Sequence, residues 1–290
     1  MKICVVGGAG FLGSHVADQL SDAGHQVCIC DLLPSPWLRH DQKMIIGSIL
    51  NEEVLNNAID GCDVVYNFAA LADLNDTLNK PLETARVNIL GNVQLLEACR
   101  RLDVQRFIYA STVYVYSREG GFYRCSKQAA EHYVEEYQNA YGLDYTILRY
   151  GSLYGPRADD SNGLFRIIKR ALELGVLQYE GSSDAVRQYI HVEDAAKASV
   201  AALGGDFRNQ SVVLTGQDPM KVSDLLEMLS EIMGLKNPVE FIEGVQPGHY
   251  IRTPYAYQPK LGRKYAPTMH VDLGQGLIQL IEIVRQSLQK

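Results

Sequence analysis

A five-residue apolar run, Lys2 to Val6, breaks directly into Gly7-Gly8-Ala9-Gly10-Phe11-Leu12-Gly13 and then into helical spacing from Phe11 to Ala23. A strand that turns through glycines straight into a helix admits few folds. Glycine takes positive φ at no steric cost, lets another group approach the backbone, and lets the helix pack close to the strand. The same turn leaves the helix N-terminus with free N–H groups and the positive end of its dipole, which is an anion site in waiting. Gln26 to Cys30, Asp63 to Asn67, Val104 to Ala110 and Tyr145 to Leu148 also read as strands, nearly continuous in hydrophobicity. That pattern suits strands covered on both faces of a parallel sheet. Pro81 to Arg101 and Tyr123 to Tyr141 read as helices, and the alternation predicts an α/β chain with a doubly wound parallel sheet.

Past Arg149 the rhythm loosens into Tyr154-Gly155-Pro156 and Asp159-Asp160-Ser161-Asn162-Gly163, which predicts a smaller C-terminal lobe. The expected division is a sheet domain over 1–155 and a lobe formed mainly by 156–290. Val192 to Leu203 resumes helical spacing, so a segment of about 186–215 is expected to be able to return to the sheet. A chain of 290 residues with 47% hydrophobic and 21% charged residues buries a full core and is neither disordered nor fibrous. Its net charge of −7 and lack of a basic run argue against nucleic acid or an anionic membrane as partner. No apolar run is long enough to span a bilayer, and a cytoplasmic address is the expectation. Six cysteines without a CxxC pair and seven histidines without an HExxH pattern indicate neither disulfides nor a metal.

The second strand ends in Asp31, eighteen residues beyond Gly13. A carboxylate there accepts hydrogen bonds from ribose hydroxyls and repels a 2′-phosphate, so the conjunction predicts dinucleotide binding with NAD preferred over NADP. Ligands of such sheets sit outside the carboxyl ends of the strands. This places Asn67-Phe68-Ala69-Ala70 and Ala110-Ser111-Thr112 beside the cofactor, with small Ala69 and Ala70 leaving it room.

Tyr123 and Lys127 are four apart in a helical segment and share one face. Such pairs are common on exposed helices, but following a dinucleotide turn this one predicts chemistry. A free phenol titrates near ~10, so a neighbouring ammonium and the positive nicotinamide are needed to make it a base near neutrality. Thr112, at the end of the preceding strand, is placed to share a substrate hydroxyl. Tyr114 and Tyr116 nearby read as core packing or as pocket wall.

The series Gly7-x-x-Gly10-x-x-Gly13, Asp31, Asn67-Phe68-Ala69-Ala70, Asn88-Ile89-Leu90-Gly91-Asn92, Ser111-Thr112, Tyr123-x-x-x-Lys127, Leu148-Arg149 and Tyr154-Gly155-Pro156 resembles the extended short-chain dehydrogenase/reductases. Within them it resembles the NAD-dependent sugar-nucleotide epimerases and dehydratases. Arg187-Gln188-Tyr189-Ile190-His191-Val192-Glu193-Asp194 matches that group's substrate-lobe motif, so the likeness covers nearly the whole chain. It implies a Rossmann domain holding NAD, Tyr123 as base, Lys127 as ribose contact and modifier of the phenol, and Thr112 as partner of the substrate hydroxyl. It further assigns Phe11, Leu12, Phe68, Asn88, Ser111 and Tyr150 to the cofactor, and Leu71, Ser152 and Arg187 to the nucleotide-sugar substrate, with Arg187 gripping the diphosphate. Helices Pro81 to Arg101 and Tyr123 to Tyr141 resemble the pair that joins family dimers, which implies a homodimer.

The implied reaction is 4-epimerisation through a 4-keto sugar. A 4-dehydrogenase or ketoreductase, a 4,6-dehydratase and a catalytically silent NAD-binding subunit are the alternatives. Val113 and Tyr114 stand where the dehydratases carry an Asp-Glu pair, which weakens the dehydratase reading. The link from Thr112 to Tyr123 is shorter than in relatives and lacks a loop that would cover the sugar. Ser152 stands where relatives place a diphosphate-binding Asn. Ser48 replaces an acid that often holds the adenine amino group, which leaves adenine to the backbone and Ile49.

Overall fold

The structure is a computed structural model that describes residues 1–237, 239–242, 249, 263–265 and 270–289. Its centre is an eight-stranded sheet built from β1 (Lys2–Val6), β2 (Gln26–Asp31), β3 (Lys43–Ile46), β4 (Val64–Asn67), β5 (Arg106–Thr112), β6 (Asp144–Tyr150), β11 (Gln210–Leu214) and β14 (Arg263–Tyr265). The strand order is β14-β11-β6-β5-β4-β1-β2-β3, and every pairing is parallel. β4 and β5 are buried along their whole length, as strands between two helical layers must be.

One face carries α1 (Phe11–Asp22) and α8 (Val192–Ala201), whose Val16, Ala17 and Leu20 join Ala195, Ala196 and Ala198 in a core with Ile3, Val5 and Ile29. The other carries α2 (Glu52–Ile59), α5 (Asn92–Arg101) and α6 (Gly121–Tyr141), which bury Leu55, Leu95, Leu96, Ala130 and Val134 against Cys4, Val65 and Phe107. Four of the six cysteines, Cys4, Cys30, Cys62 and Cys99, pack there as small apolar side chains. All strands run the same way, but the order in which they are added reverses at β1, with β2 on one side and β4 on the other, which opens a crevice at the carboxyl ends of the strands.

Between β4 and β5, the stretch expected as one helix from Pro81 to Arg101 divides into three. α4 (Pro81–Thr84) passes into a π-helical turn, Ala85–Gly91, before α5 begins. Such a turn lengthens the hydrogen-bond step from four residues to five while the coil runs on through it. α3 (Leu74–Asn79) precedes it, capped by the Asp73 carboxylate, which accepts from the Asn75 and Asp76 amides.

The C-terminal lobe consists of α7 (Gly163–Leu174), α9 (Val222–Met233) and α10 (Leu273–Leu288) around Phe165, Ile168, Leu226 and Leu280. Three two-stranded pieces rim it: β7 (Ser152–Tyr154) with β10 (Tyr189–His191), β8 (Gln178–Glu180) with β13 (Glu240–Ile242), and β9 (Val186–Arg187) with β12 (Met220–Lys221). The chain does not stay in this lobe after residue 156, since α8, β11 and β14 all return to the sheet.

Candidate active site

The glycine turn is set by contact as well as by dihedral angle. Gly7 has φ +79°, and a Cβ on it would stand 2.4 Å from the Ala69 amide nitrogen. A Cβ on Gly13 would stand 2.2 Å from the Gly7 carbonyl oxygen. Neither position tolerates a side chain without moving backbone. α1 starts after Gly10 with no side-chain cap, so its first-turn amides, on Phe11, Leu12 and Gly13, are served by no cap, as an anion site requires. Asp31 sits at the end of β2 with one carboxylate oxygen accepting from the Ala9 amide at 2.9 Å. It therefore pins the glycine turn while its position stays at the crevice. These residues fit a dinucleotide diphosphate and ribose. Replacing Asp31 with serine should erode any preference for NAD over NADP and weaken both, because the turn loses its anchor as well as its charge. Dissociation constants for the two cofactors check this, and an unchanged ratio would show that Asp31 does not read the ribose.

Phe68, partly buried, stacks on Tyr66 with centroids 6.0 Å apart, and Ala69 and Ala70 continue past the end of β4. The Leu71 backbone is fixed at both ends of one residue by Asn88, whose side chain accepts from the Leu71 amide at 2.8 Å and donates to its carbonyl at 2.9 Å. Asn88 also donates to the Ser126 hydroxyl at 2.9 Å. Its amide is thus spent inside the protein, joining the π-helical turn, the loop after β4 and α6. Ser111 and Tyr150 are turned inward likewise: the Ser111 hydroxyl bonds the Glu131 carboxylate, and the Tyr150 hydroxyl lies 2.6 Å from that of Ser199. Ser48 accepts from the Leu50 amide at 3.1 Å, and Ile49 is buried under Gly91.

α6 begins at Gly120 and Gly121, with φ of +94° and +50°. The first of these abuts the Tyr114 ring. Tyr123 and Lys127 then fall on one face, the first half-buried and the second 3% exposed. The Thr112 hydroxyl, at the end of β5, accepts from the Tyr114 amide at 3.3 Å and lies near enough to the Tyr123 phenol to favour its ionised form. Lys127 donates from Nζ to the Ala110 carbonyl at 2.6 Å and lies 4.7 Å from the Tyr109 ring centroid and 5.9 Å from that of Tyr123. Burial pushes the Tyr123 phenol up to about 12, partly opposed by the nearby Thr112 hydroxyl. Burial also pulls the Lys127 ammonium down to about 7, opposed by the Glu131 carboxylate. Left to desolvation alone, the pair would be neutral and inert.

A cavity of about 640 Å³ opens between the sheet ends and the lobe, with Tyr123, Tyr114, Ser152 and Arg187 in its wall. Of the two tyrosines that pattern left undecided, Tyr116 is core at 2% exposure. Tyr114 lines the cavity, edge-on to Tyr123 with centroids 6.4 Å apart and its hydroxyl 3.1 Å from His249 Nδ1. Asp73, Arg166 and Tyr179 also line it and were not foreseen. Arg166 Nη1 lies 3.1 Å from the Asp73 carboxylate. An arginine on an amphipathic helix carries no mark in sequence that separates it from a solvated charge. Among the described residues, no group of three or more His, Cys, Asp or Glu could hold a metal, and no helix is long and apolar enough to cross a membrane.

Residues 3–213 match the family model described as the NAD dependent epimerase/dehydratase family. The chain belongs to this family. Similar to it among curated proteins is the UDP-glucose 4-epimerase of Corynebacterium glutamicum, 28% identical over 274 residues that cover 83% of each protein. Among solved structures, the Thermotoga maritima UDP-glucose 4-epimerase with UDP-glucose is 29% identical with a TM-score of 0.86, covering 99% of this chain and 100% of its own. The Bacillus cereus UDP-glucuronic acid 4-epimerase with UDP-glucuronic acid and NAD is 28% identical with the same TM-score of 0.86 and the same coverage. The protein is accordingly an NAD-dependent enzyme of the extended short-chain dehydrogenase/reductase class with a Rossmann-type sheet.

Proposed function

We propose that this enzyme is a UDP-sugar 4-epimerase whose catalytic residues are Tyr123, Lys127 and Thr112. The observation that carries the reading is Tyr123 in the cavity wall, with Lys127 buried on the same helix face 5.9 Å from its ring centroid and the Thr112 hydroxyl favouring its ionised form. Relatives that bind UDP-glucose and UDP-glucuronic acid support the substrate class. In this reading Thr112 hydrogen-bonds the sugar 4-hydroxyl and Tyr123, as phenolate, takes its proton. Bound NAD+ supplies a hydride acceptor for carbon 4 and a positive ring that lowers the phenol. Lys127 holds the phenolate by charge. Once the 4-keto sugar has turned over in the cavity, Tyr123 returns the proton to the 4-oxygen as the same hydride returns to the opposite face of carbon 4. Arg187, 6% exposed, and Ser152 hold the diphosphate, the guanidinium fork matching its oxygens.

Elimination of water would need an acid and a base beside the catalytic threonine, and Val113 and Tyr114 supply no carboxylate there. The second reading is a 4-dehydrogenase, favoured by the short connection between Thr112 and Tyr123, which leaves the sugar with less cover. Offering UDP-, dTDP-, GDP- and CDP-sugars, following absorbance of reduced nicotinamide and resolving products by NMR separates the two. A C4 epimer without accumulated NADH is expected from a UDP-sugar. A released keto-sugar with stoichiometric NADH would overturn the epimerase in favour of the dehydrogenase.

We further propose a homodimer through the helices α4 to α6, on which Leu82, Leu90, Tyr133 and Tyr141 are 74%, 49%, 46% and 59% exposed. Large apolar side chains left outward on neighbouring helices mark a contact face. Light scattering should give twice the chain mass, and Leu82→Glu with Tyr133→Glu should halve it. A monomer in the unaltered protein would end this proposal.

A further inference from the structure

The face that presents Tyr123 and Lys127 continues one turn further to Glu131, a residue with no part in the chemistry above. Glu131 is 6% exposed. Its carboxylate is clamped by Arg149 of β6, Nη2 to Oε2 at 2.6 Å and Nε to Oε1 at 3.0 Å, and by the Ser111 hydroxyl of β5. Arg149 is 2% exposed and its remaining edge donates to the Tyr116 hydroxyl at 2.6 Å. Three elements that carry the site, β5, β6 and α6, are thus tied at one buried ion pair. Such a pair contributes little to stability by itself, because removing both charges from water costs about as much as their attraction returns. Its position invites another explanation.

Residues four apart on a helix face each other at about 6 Å between Cβ atoms, and Lys127 and Glu131 are both buried, at 3% and 6% exposure. Among the described residues, the groups around the ammonium either touch it, as the Ala110 carbonyl and the Tyr109 and Tyr123 rings do, or lie beside those that do. From β5 come the Tyr109 ring, the Ala110 carbonyl and Ser111; from α6, Tyr123 and Glu131; from β6, Arg149, reached only through Glu131; and from the 3-10 turn Val113–Tyr116, the Tyr116 hydroxyl, spent on Arg149. Glu131 is the one anionic side chain in that set. The Ala110 carbonyl accepts from the ammonium but carries no full charge.

We propose that Glu131 is a positioning residue for the catalytic pair: fixed by Arg149 and Ser111, its carboxylate keeps Lys127 protonated in a site whose burial opposes that charge. Arg149 serves to hold the carboxylate and keep it from folding up onto the lysine as a neutral contact pair. The inference rests on the assignment of Tyr123 and Lys127 above, and it adds a tuning group that touches neither substrate nor cofactor.

Removing the Glu131 charge alone would strand Arg149 in the core, a change that unfolds many proteins. The test therefore removes both charges, as Glu131→Gln with Arg149→Gln, and in a second frame as Glu131→Leu with Arg149→Met, since apolar replacement of a buried pair is well tolerated. Lysine labelled with 13C at Cε, assigned through Lys127→Arg, reports the Lys127 titration directly in the protein without NAD. In the unaltered protein the midpoint is expected at about 7. In either folded double variant it should fall by about half a pH unit, less than the loss of a lone opposite charge would give, because the Arg149 cation, one partner further from the lysine, leaves with the carboxylate. The alkaline limb of the turnover profile with NAD bound should move the same way, which loss of packing alone would not cause.

A folded double variant whose Lys127 midpoint stays where it was overturns the role of Glu131. Tyr123→Phe run beside it keeps the two ideas apart. If that variant turns over normally, the catalytic reading fails; if it is inactive while the Lys127 midpoint is unmoved, only the Glu131 inference fails.

Discussion

Tyr123→Phe should bind NAD as the unaltered enzyme does and lose turnover by a factor of about 10³, within the range that a positioned acid–base group supplies. The hydroxyl is all that is removed. The ring remains to pack edge-on against Tyr114, 6.4 Å away between centroids, and to face Lys127, so the fold and the cofactor crevice are untouched. What goes is a phenol in the cavity wall that has the Lys127 ammonium behind its ring. In the proposed role the oxygen acts only as the sugar is oxidised or reduced, so kcat should fall with KM little changed. Steady-state rates with a UDP-sugar, alongside NAD binding by calorimetry, check both halves. Turnover within a few fold of normal would remove Tyr123 from the mechanism.

Gly13→Val is the second large effect, and it acts on binding instead of chemistry. The new Cβ would begin 2.2 Å from the Gly7 carbonyl oxygen and 3.0 Å from Gly8 Cα, a collision of backbone with backbone that no rotamer relieves. Relief requires α1 to lift from the glycine turn, which withdraws its N-terminal amides from where a diphosphate would lie. NAD affinity should fall by about a hundredfold or more, equivalent to about 3 kcal/mol. Melting temperature without NAD should fall by only a few degrees, because α1 keeps Val16, Ala17 and Leu20 buried further along. An affinity unchanged in the face of that substitution would mean that the cofactor does not sit on this turn.

Much of this arrangement is readable in the chain, and the parts that are not share a cause. β1, β2 and β4 to β6 declare themselves because strands covered on both sides must be apolar throughout. β3 does not, since it is a four-residue edge strand with Lys43 and Ile46 exposed and only Met44 and Ile45 partly covered. The lobe strands are two or three residues long and exist only because segments distant in sequence meet, which no local pattern encodes. In the site, helical spacing joins Tyr123 to Lys127, and the same spacing carried one step further reaches Glu131. Asp73 and Arg166 were beyond reach, because their pairing joins a loop after β4 to a helix in the other lobe. The side chains of Asn88, Ser111 and Tyr150 hydrogen-bond Leu71 and Ser126, Glu131, and Ser199 in turn, partners far off in sequence that motif spacing does not encode.

The sheet is closed late. β6 leaves one edge that only β11, sixty residues on at Gln210, covers, and β14 at Arg263 covers that in turn. During synthesis the first 155 residues therefore emerge with their backbone hydrogen-bonding edge open along Asp144–Tyr150, an invitation to pair with another nascent chain. A half-molecule cut at residue 155 is consequently not a portable nucleotide-binding module but an aggregation hazard, and cells that make this protein have reason to shield that edge until translation has delivered the remaining strands.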